Sequence, residues 1–113
     1  MAHAPAAEVG AAFTPVAKAD DIPPGWVLTV RLGARSLAIA NSDGAFYALD
    51  DSCSHAGGPL GDNRLREGCF VECPWHNSVF DVRTGEACRG PARAAQPTYA
   101  VRIEEGVVLV ALD

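Results

Sequence analysis

The sequence predicts an all-β domain of antiparallel strands, on three observations. Short runs rich in Val, Ile, Leu, Thr and aromatic residues recur along the chain, turn signals separate them, and no run of about 10 residues or more carries a helical pattern. The strand-like runs are Phe13 to Ala19, Trp26 to Leu32, Arg35 to Ala40, Ala45 to Leu49, Gly68 to Glu72, Tyr99 to Glu104 and Val107 to Leu112. In the second run Val27, Thr29 and Arg31 alternate with Leu28, Val30 and Leu32, the period of a half-buried strand, and Val101 and Ile103 alternate with Arg102 and Glu104 in the same way. Pro23-Pro24-Gly25 stops any helix before Trp26. Asn41-Ser42-Asp43-Gly44 and Glu104-Glu105-Gly106 each stand between two strand-like runs and predict hairpins.

At 113 residues the chain holds one domain. Of its apolar residues 20 are Ala and four are Cys, so the larger side chains supply an adequate core and not a generous one, which a metal would reinforce. Residues 1–11 are Ala-rich and unpatterned, the composition of a flexible tail, and residues 12–113 form the folded domain. The net charge is −5, and no cluster of Lys or Arg offers the basic stripe that nucleic acid requires. Between residues 53 and 93 five Arg balance five acids, so long-range steering of a partner toward that segment is weak. The longest apolar run, Val107 to Leu112, is far short of the roughly 20 residues of a membrane span. With no secretory pattern at its start, the chain is expected to be cytoplasmic.

Residues 50–66 and 73–98 interrupt the strand rhythm; they are rich in Gly, Pro, Asp, Asn and Arg and read as long loops, the places where function concentrates. They hold Cys53-Ser54-His55 and Cys73-Pro74-Trp75-His76. Two loops meeting at their tips would present two thiolates and two imidazoles. That donor set suits one tetrahedral zinc ion, or a 2Fe-2S centre with Cys on one iron and His on the other, and composition alone does not choose.

The neighbouring residues add a resemblance. Cys53-Ser54-His55-Ala56-Gly57-Gly58-Pro59-Leu60-Gly61 and Cys73-Pro74-Trp75-His76-Asn77-Ser78-Val79-Phe80-Asp81 resemble the two cluster-binding loops of Rieske iron–sulfur proteins. Thr84-Gly85, Gly90-Pro91-Ala92 and the Tyr99 to Leu112 hairpin extend the resemblance over most of the chain, Pro91 falling in what resembles the proline loop that covers the cluster. It implies an antiparallel Rieske-like β-sandwich with a small two-loop subdomain, its loops at about 50–66 and 73–93. It also implies one 2Fe-2S cluster, with Cys53 and Cys73 on the buried iron and His55 and His76 on the outer iron near the surface.

Physical chemistry gives the flanking residues roles. Gly57, Gly58 and Gly61 leave backbone N–H groups free to approach bridging sulfides, and a Ser78 hydroxyl adds a donor; both favour the more negative reduced cluster. Trp75, Pro59, Leu60 and Pro91 would form an apolar rim around the histidine edge, excluding water and offering a docking surface. Departures from the family bear on potential. Gly58 and Trp75 stand where quinol-oxidising Rieske proteins carry a disulfide, and Phe80 where they carry a Tyr, which lowers the expected potential. Ser78 keeps the hydroxyl of the high-potential branch, and Asn77 replaces a common Gly. Cys69 reads as a buried strand thiol, Cys88 as a loop thiol without a special role, and a bridge between them has no support in a reducing compartment.

Once His55 and His76 are assigned to the cluster, only His3 remains, so the mononuclear iron site of a terminal oxygenase cannot be built. No dinucleotide-binding Gly motif and no room for a flavin domain exist. The resemblance therefore implies a non-enzymatic one-electron carrier, similar to the ferredoxins of ring-hydroxylating dioxygenases. Such a protein is a monomer that passes electrons from a flavin-containing NAD(P)H reductase to a terminal oxygenase. The alternatives are a small Rieske-like subunit of nitrite reductase or another oxidoreductase, and a zinc-stabilised binding module.

Overall fold

A computed structural model describes residues 12–51, 60–61, 63–73, 78–90 and 95–112. The expected flexible tail at 1–11 lies outside the described residues. Among the described residues eleven strands run in order: β1 (Phe13–Lys18), β2 (Trp26–Leu32), β3 (Arg35–Ser42), β4 (Ala45–Asp50), β5 (Asn63–Arg64), β6 (Phe70–Glu72), β7 (Val79–Asp81), β8 (Ala87–Arg89), β9 (Thr98–Tyr99), β10 (Val101–Glu104) and β11 (Val107–Ala111). All their pairings are antiparallel. They form a five-stranded sheet in the order β5-β2-β3-β4-β9 and two three-stranded sheets, β1-β11-β10 and β6-β7-β8.

The central strand β3 explains how three sheets make one domain. Its residues 37–41 are all buried, because both faces of the five-stranded sheet are covered. Leu37 and Ile39 point to one side, where with Ile22, Ala48, Val108 and Val110 they pack against the β1-β11-β10 sheet. Ala38 and Ala40 point to the other, into a second core of Val27, Leu49, Leu60, Val71, Cys73, Phe80 and Val82. Neighbouring residues of β4 divide in the same way, Ala48 into the first core and Leu49 into the second. The two-stranded register is pinned by tight turns. Asp43 (φ 54) and Gly44 (φ 95) close β3 onto β4 with left-handed angles at both positions, the geometry for which Asp-Gly is suited. Pro15 is tolerated because β1 lies at a sheet edge, and the pairing slips there between Pro15 and Ala17.

The expected strands are present, with instructive differences. Ala19 leaves β1 for a single 3-10 turn, Ala19–Asp21. The run expected at Gly68 begins at Phe70, because Glu67 (φ 51) and Gly68 (φ 81) make a turn; Cys69 lies in that turn and is half-buried rather than a buried strand residue. The run Tyr99 to Glu104 divides at Ala100, since β9 pairs with β4 and β10 pairs with β11, so the chain changes sheets there. The segment 73–98, expected as a long loop, contains β7 and β8, and β5 lies within 50–66. Cys88 is accordingly an exposed residue of β8. It forms no bridge with Cys69, both being free thiols.

Candidate metal centre

The first candidate loop is closed at its base by one carboxylate. Asp51 follows β4 directly and is buried, and its backbone N–H donates to the Ser36 carbonyl at 3.0 Å. Its backbone carbonyl accepts from Leu60 N–H at 2.8 Å. Its Oδ1 accepts from Gly61 N–H at 2.6 Å, from Leu60 N–H at 3.2 Å and from the Thr29 hydroxyl at 3.3 Å. The absence of a side chain at Gly61 permits this approach, since a Cβ there would stand 1.9 Å from Thr29 Oγ1 and 2.8 Å from its Cα. The Gly61 N–H, expected to face a bridging sulfide, is thus committed to Asp51.

The second loop is the connection of the β6–β7 hairpin. Its last ladder pair is Glu72 with Val79, and beyond it Cys73 N–H donates to the Ser78 carbonyl at 2.8 Å. Cys73, Ser78 and Phe80 are all fully buried. Phe80, at the position where quinol-oxidising Rieske proteins carry a Tyr, is therefore a core residue, and burial of its ring stabilises the subdomain by about 1.5–3 kcal/mol. Leu60, expected on an apolar rim, is fully buried in the same core as Cys73, which roots both loops in one packed unit.

A third segment converges there. Buried Gln96 donates from its backbone N–H to the Gly85 carbonyl at 2.6 Å and from Nε2 to the Asp50 carbonyl at 2.7 Å. Asp50 N–H donates in turn to the Pro97 carbonyl at 3.0 Å. The Thr84-Gly85 turn and the chain that follows residues 91–94 are in this way tied to the end of β4, one residue from Asp51.

Of the four expected ligands, Cys73 is described; Cys53, His55 and His76 lie outside the described residues, as do Gly57, Gly58, Pro59, Trp75 and Pro91. Among the described residues no group of three or more His, Cys, Asp or Glu is placed to hold a metal. The described part fits a thiolate-ligated cluster on its own terms. A thiol is held without solvent exposure at the mouth of a hairpin whose connection carries His76, and a second loop carrying Cys53 and His55 is anchored in the same core.

The surface charges around the hairpin are largely internally paired. Arg66 meets Glu72 at 2.7 Å and Arg83 meets Asp81 at 2.8 Å, while Arg64 lies 5.0 Å above the exposed Trp26 ring. The Arg83 side-chain hydrogen bonds hold the Asp81 carboxyl below the ordinary carboxylate range, against the opposing effect of burial. This pairing agrees with the balanced charge of the segment. Asp51 and Gln96 were invisible as site residues in the sequence; the one signal for Asp51 is an acidic residue two positions before a Cys-x-His pair.

The chain matches the Rieske 2Fe-2S domain over residues 12–100. It is 39% identical over 92 residues to the ferredoxin component of the p-cumate 2,3-dioxygenase system of Pseudomonas putida, covering 80% of this chain and 78% of that one. It is 39% identical over 98 residues to the biphenyl dioxygenase ferredoxin subunit of Pseudomonas sp. (strain KKS102), covering 87% of this chain and 90% of that one. Among solved structures it is similar to a chain in the complex of reduced oxygenase and oxidized ferredoxin of carbazole 1,9a-dioxygenase. The TM-score is 0.80 at 35% identity, covering 88% of this chain and 92% of that one. With its loops rooted as described and the match spanning both, the chain belongs to the Rieske 2Fe-2S domain family and its cofactor is one Rieske-type 2Fe-2S cluster.

Proposed function

We propose that this protein is a one-electron carrier that receives electrons from a flavin-containing NAD(P)H reductase and delivers them to a terminal ring-hydroxylating oxygenase. In this reading Cys53 and Cys73 ligate the inner iron and His55 and His76 the outer iron. The observation that carries it is the fully buried Cys73 at the base of a closed hairpin, packed in one core with the end of the other loop, in a chain whose relatives are dioxygenase ferredoxin components. The protein works as a cytoplasmic monomer, and among the described residues no helix is long and apolar enough to cross a membrane.

The cluster supplies a site that gains and loses one electron. The chain does the rest. Val71, Phe80, Val82 and Leu60 pack around Cys73, and the hydrogen bonds at Asp51 and Cys73 tie the bases of both loops to the frame. A rigid frame keeps reorganisation on electron transfer small. In this reading His55 and His76 serve as the electron port, and a transient contact at the small end of interface sizes suffices there.

The test is a potentiometric titration of anaerobically purified protein followed by electron paramagnetic resonance. A Rieske signal with a midpoint near the low end of the roughly −150 to +300 mV range, lost in His55→Ala and His76→Ala, is expected. A normal signal in either variant overturns the ligand set. Colourless protein with stoichiometric zinc and no acid-labile sulfide identifies a zinc module instead.

A further inference from the structure

We propose that Asp51 is the positioning residue of the cluster-binding loop that carries Cys53 and His55; the inference rests on the ligand reading above. Residue 51 grips both ends of that loop. Its backbone N–H is fixed to β3 through Ser36, and its carbonyl and Oδ1 together take the N–H groups of Leu60 and Gly61 where the chain returns. The third donor to Oδ1 is the hydroxyl of Thr29 on β2, so the carboxylate joins the loop to the five-stranded sheet as well as to itself.

Three features make this more than an ordinary loop contact. All three side-chain bonds converge on one oxygen, which only an acceptor with several lone pairs accommodates. The carboxylate is buried, and its removal takes away the acceptor of the Gly61 N–H, while the Leu60 N–H keeps the Asp51 backbone carbonyl. Gly61 is held so close to Thr29 and Asp51 that any side chain there collides, so the loop end has no alternative seat. The ligand residues stand two and four positions beyond this grip. Residues that orient ligands from behind in this way change metal affinity about 10- to 100-fold when removed.

The convergence on Oδ1 makes Asp51→Asn and Asp51→Ala an informative pair, because Asn offers the same acceptor oxygen and Ala offers none. In the cluster-loaded protein, D51A is expected to lose its cluster to a chelator about 10- to 100-fold faster than wild type and to show a broadened Rieske resonance, while D51N keeps the wild-type line shape. D51A with wild-type line shape and cluster lifetime overturns the proposal, and so does D51N as impaired as D51A. Should D51A not accumulate, mass-spectrometric hydrogen exchange on the loaded wild type reads the same contact. Slow exchange of the Leu60 and Gly61 amides is expected, and exchange at the rate of unstructured chain overturns the role. Wild-type protein without a Rieske signal overturns the ligand reading and the Asp51 role with it, whereas a wild-type signal with unchanged D51A removes the Asp51 role alone.

Discussion

The backbone N–H of Cys73 donates to the carbonyl oxygen of Ser78 at 2.8 Å, and neither residue has solvent-exposed surface. This bond sets the Ser78 side chain on the same hairpin as the proposed ligand Cys73, in a fully buried region. A hydroxyl donating toward cluster sulfur favours the reduced, more negative state. Ser78→Ala is therefore expected to lower the midpoint potential. One hydrogen bond of about 1 kcal/mol corresponds to about 40 mV for a one-electron couple. Titration of wild type and variant under one set of conditions checks this, and equal potentials would show that the hydroxyl serves the hairpin rather than the cluster.

The Asp81–Arg83 pair makes a pH-dependent contribution whose sign follows from its cause. Arg83 donates to both carboxylate oxygens of Asp81 and lowers its pKa from the ordinary 3.8. A carboxyl with a depressed folded pKa contributes stability that is present above the unfolded pKa and disappears as pH falls through the folded one. Arg83→Ala should therefore be less stable than wild type at pH 7, with the gap closing below about pH 4. Arg83 is half-exposed, so added salt should shrink the gap at neutral pH. Urea unfolding at the two pH values and two ionic strengths measures both effects.

Local pattern in the sequence sufficed for β2, β3, β4 and β11, which are the longer apolar runs and are punctuated by Gly-containing turns. It failed for β5, β7 and β8, each of two or three residues, because strands that short leave no period to read; β5 exists only through pairing with distant β2, and β7 and β8 only through adjacent short hairpins. The Cys/His spacing exposed the candidate ligands, since metal chemistry restricts residue type. Their supports stayed hidden. Asp51 and Gln96 look like ordinary loop polarity, and their roles arise from bonds spanning 22 and 46 positions, to Thr29 and to Asp50. Leu60 shows the same limit from the other side, its apolar character suggesting a rim where the packed core claims it.

Tyr99 links the end of β4 through Arg35 to Leu112, and its ionisation gives a further test. Its hydroxyl donates to Asp50 Oδ1 at 2.5 Å and accepts from Arg35 Nη2 at 2.8 Å, while Arg35 Nη1 reaches the Leu112 carbonyl at 3.3 Å. Burial, then the hydrogen bond to Asp50, pushes the phenol pKa above its ordinary 10.0, outweighing the opposite pull of Arg35. A raised folded pKa means that the contribution is intact below the unfolded value and is lost as pH rises through the folded one. Tyr99→Phe should cost about 1–2 kcal/mol at pH 8 through lost hydrogen bonds, and its deficit relative to wild type should narrow above pH ~10. Because Asp50 also receives Gln96 and adjoins Asp51, the variant should additionally speed hydrogen exchange at Leu60 and Gly61. A stability deficit with unchanged exchange there would mean that the Tyr99 network supports the sandwich alone and stops short of the cluster-binding loop.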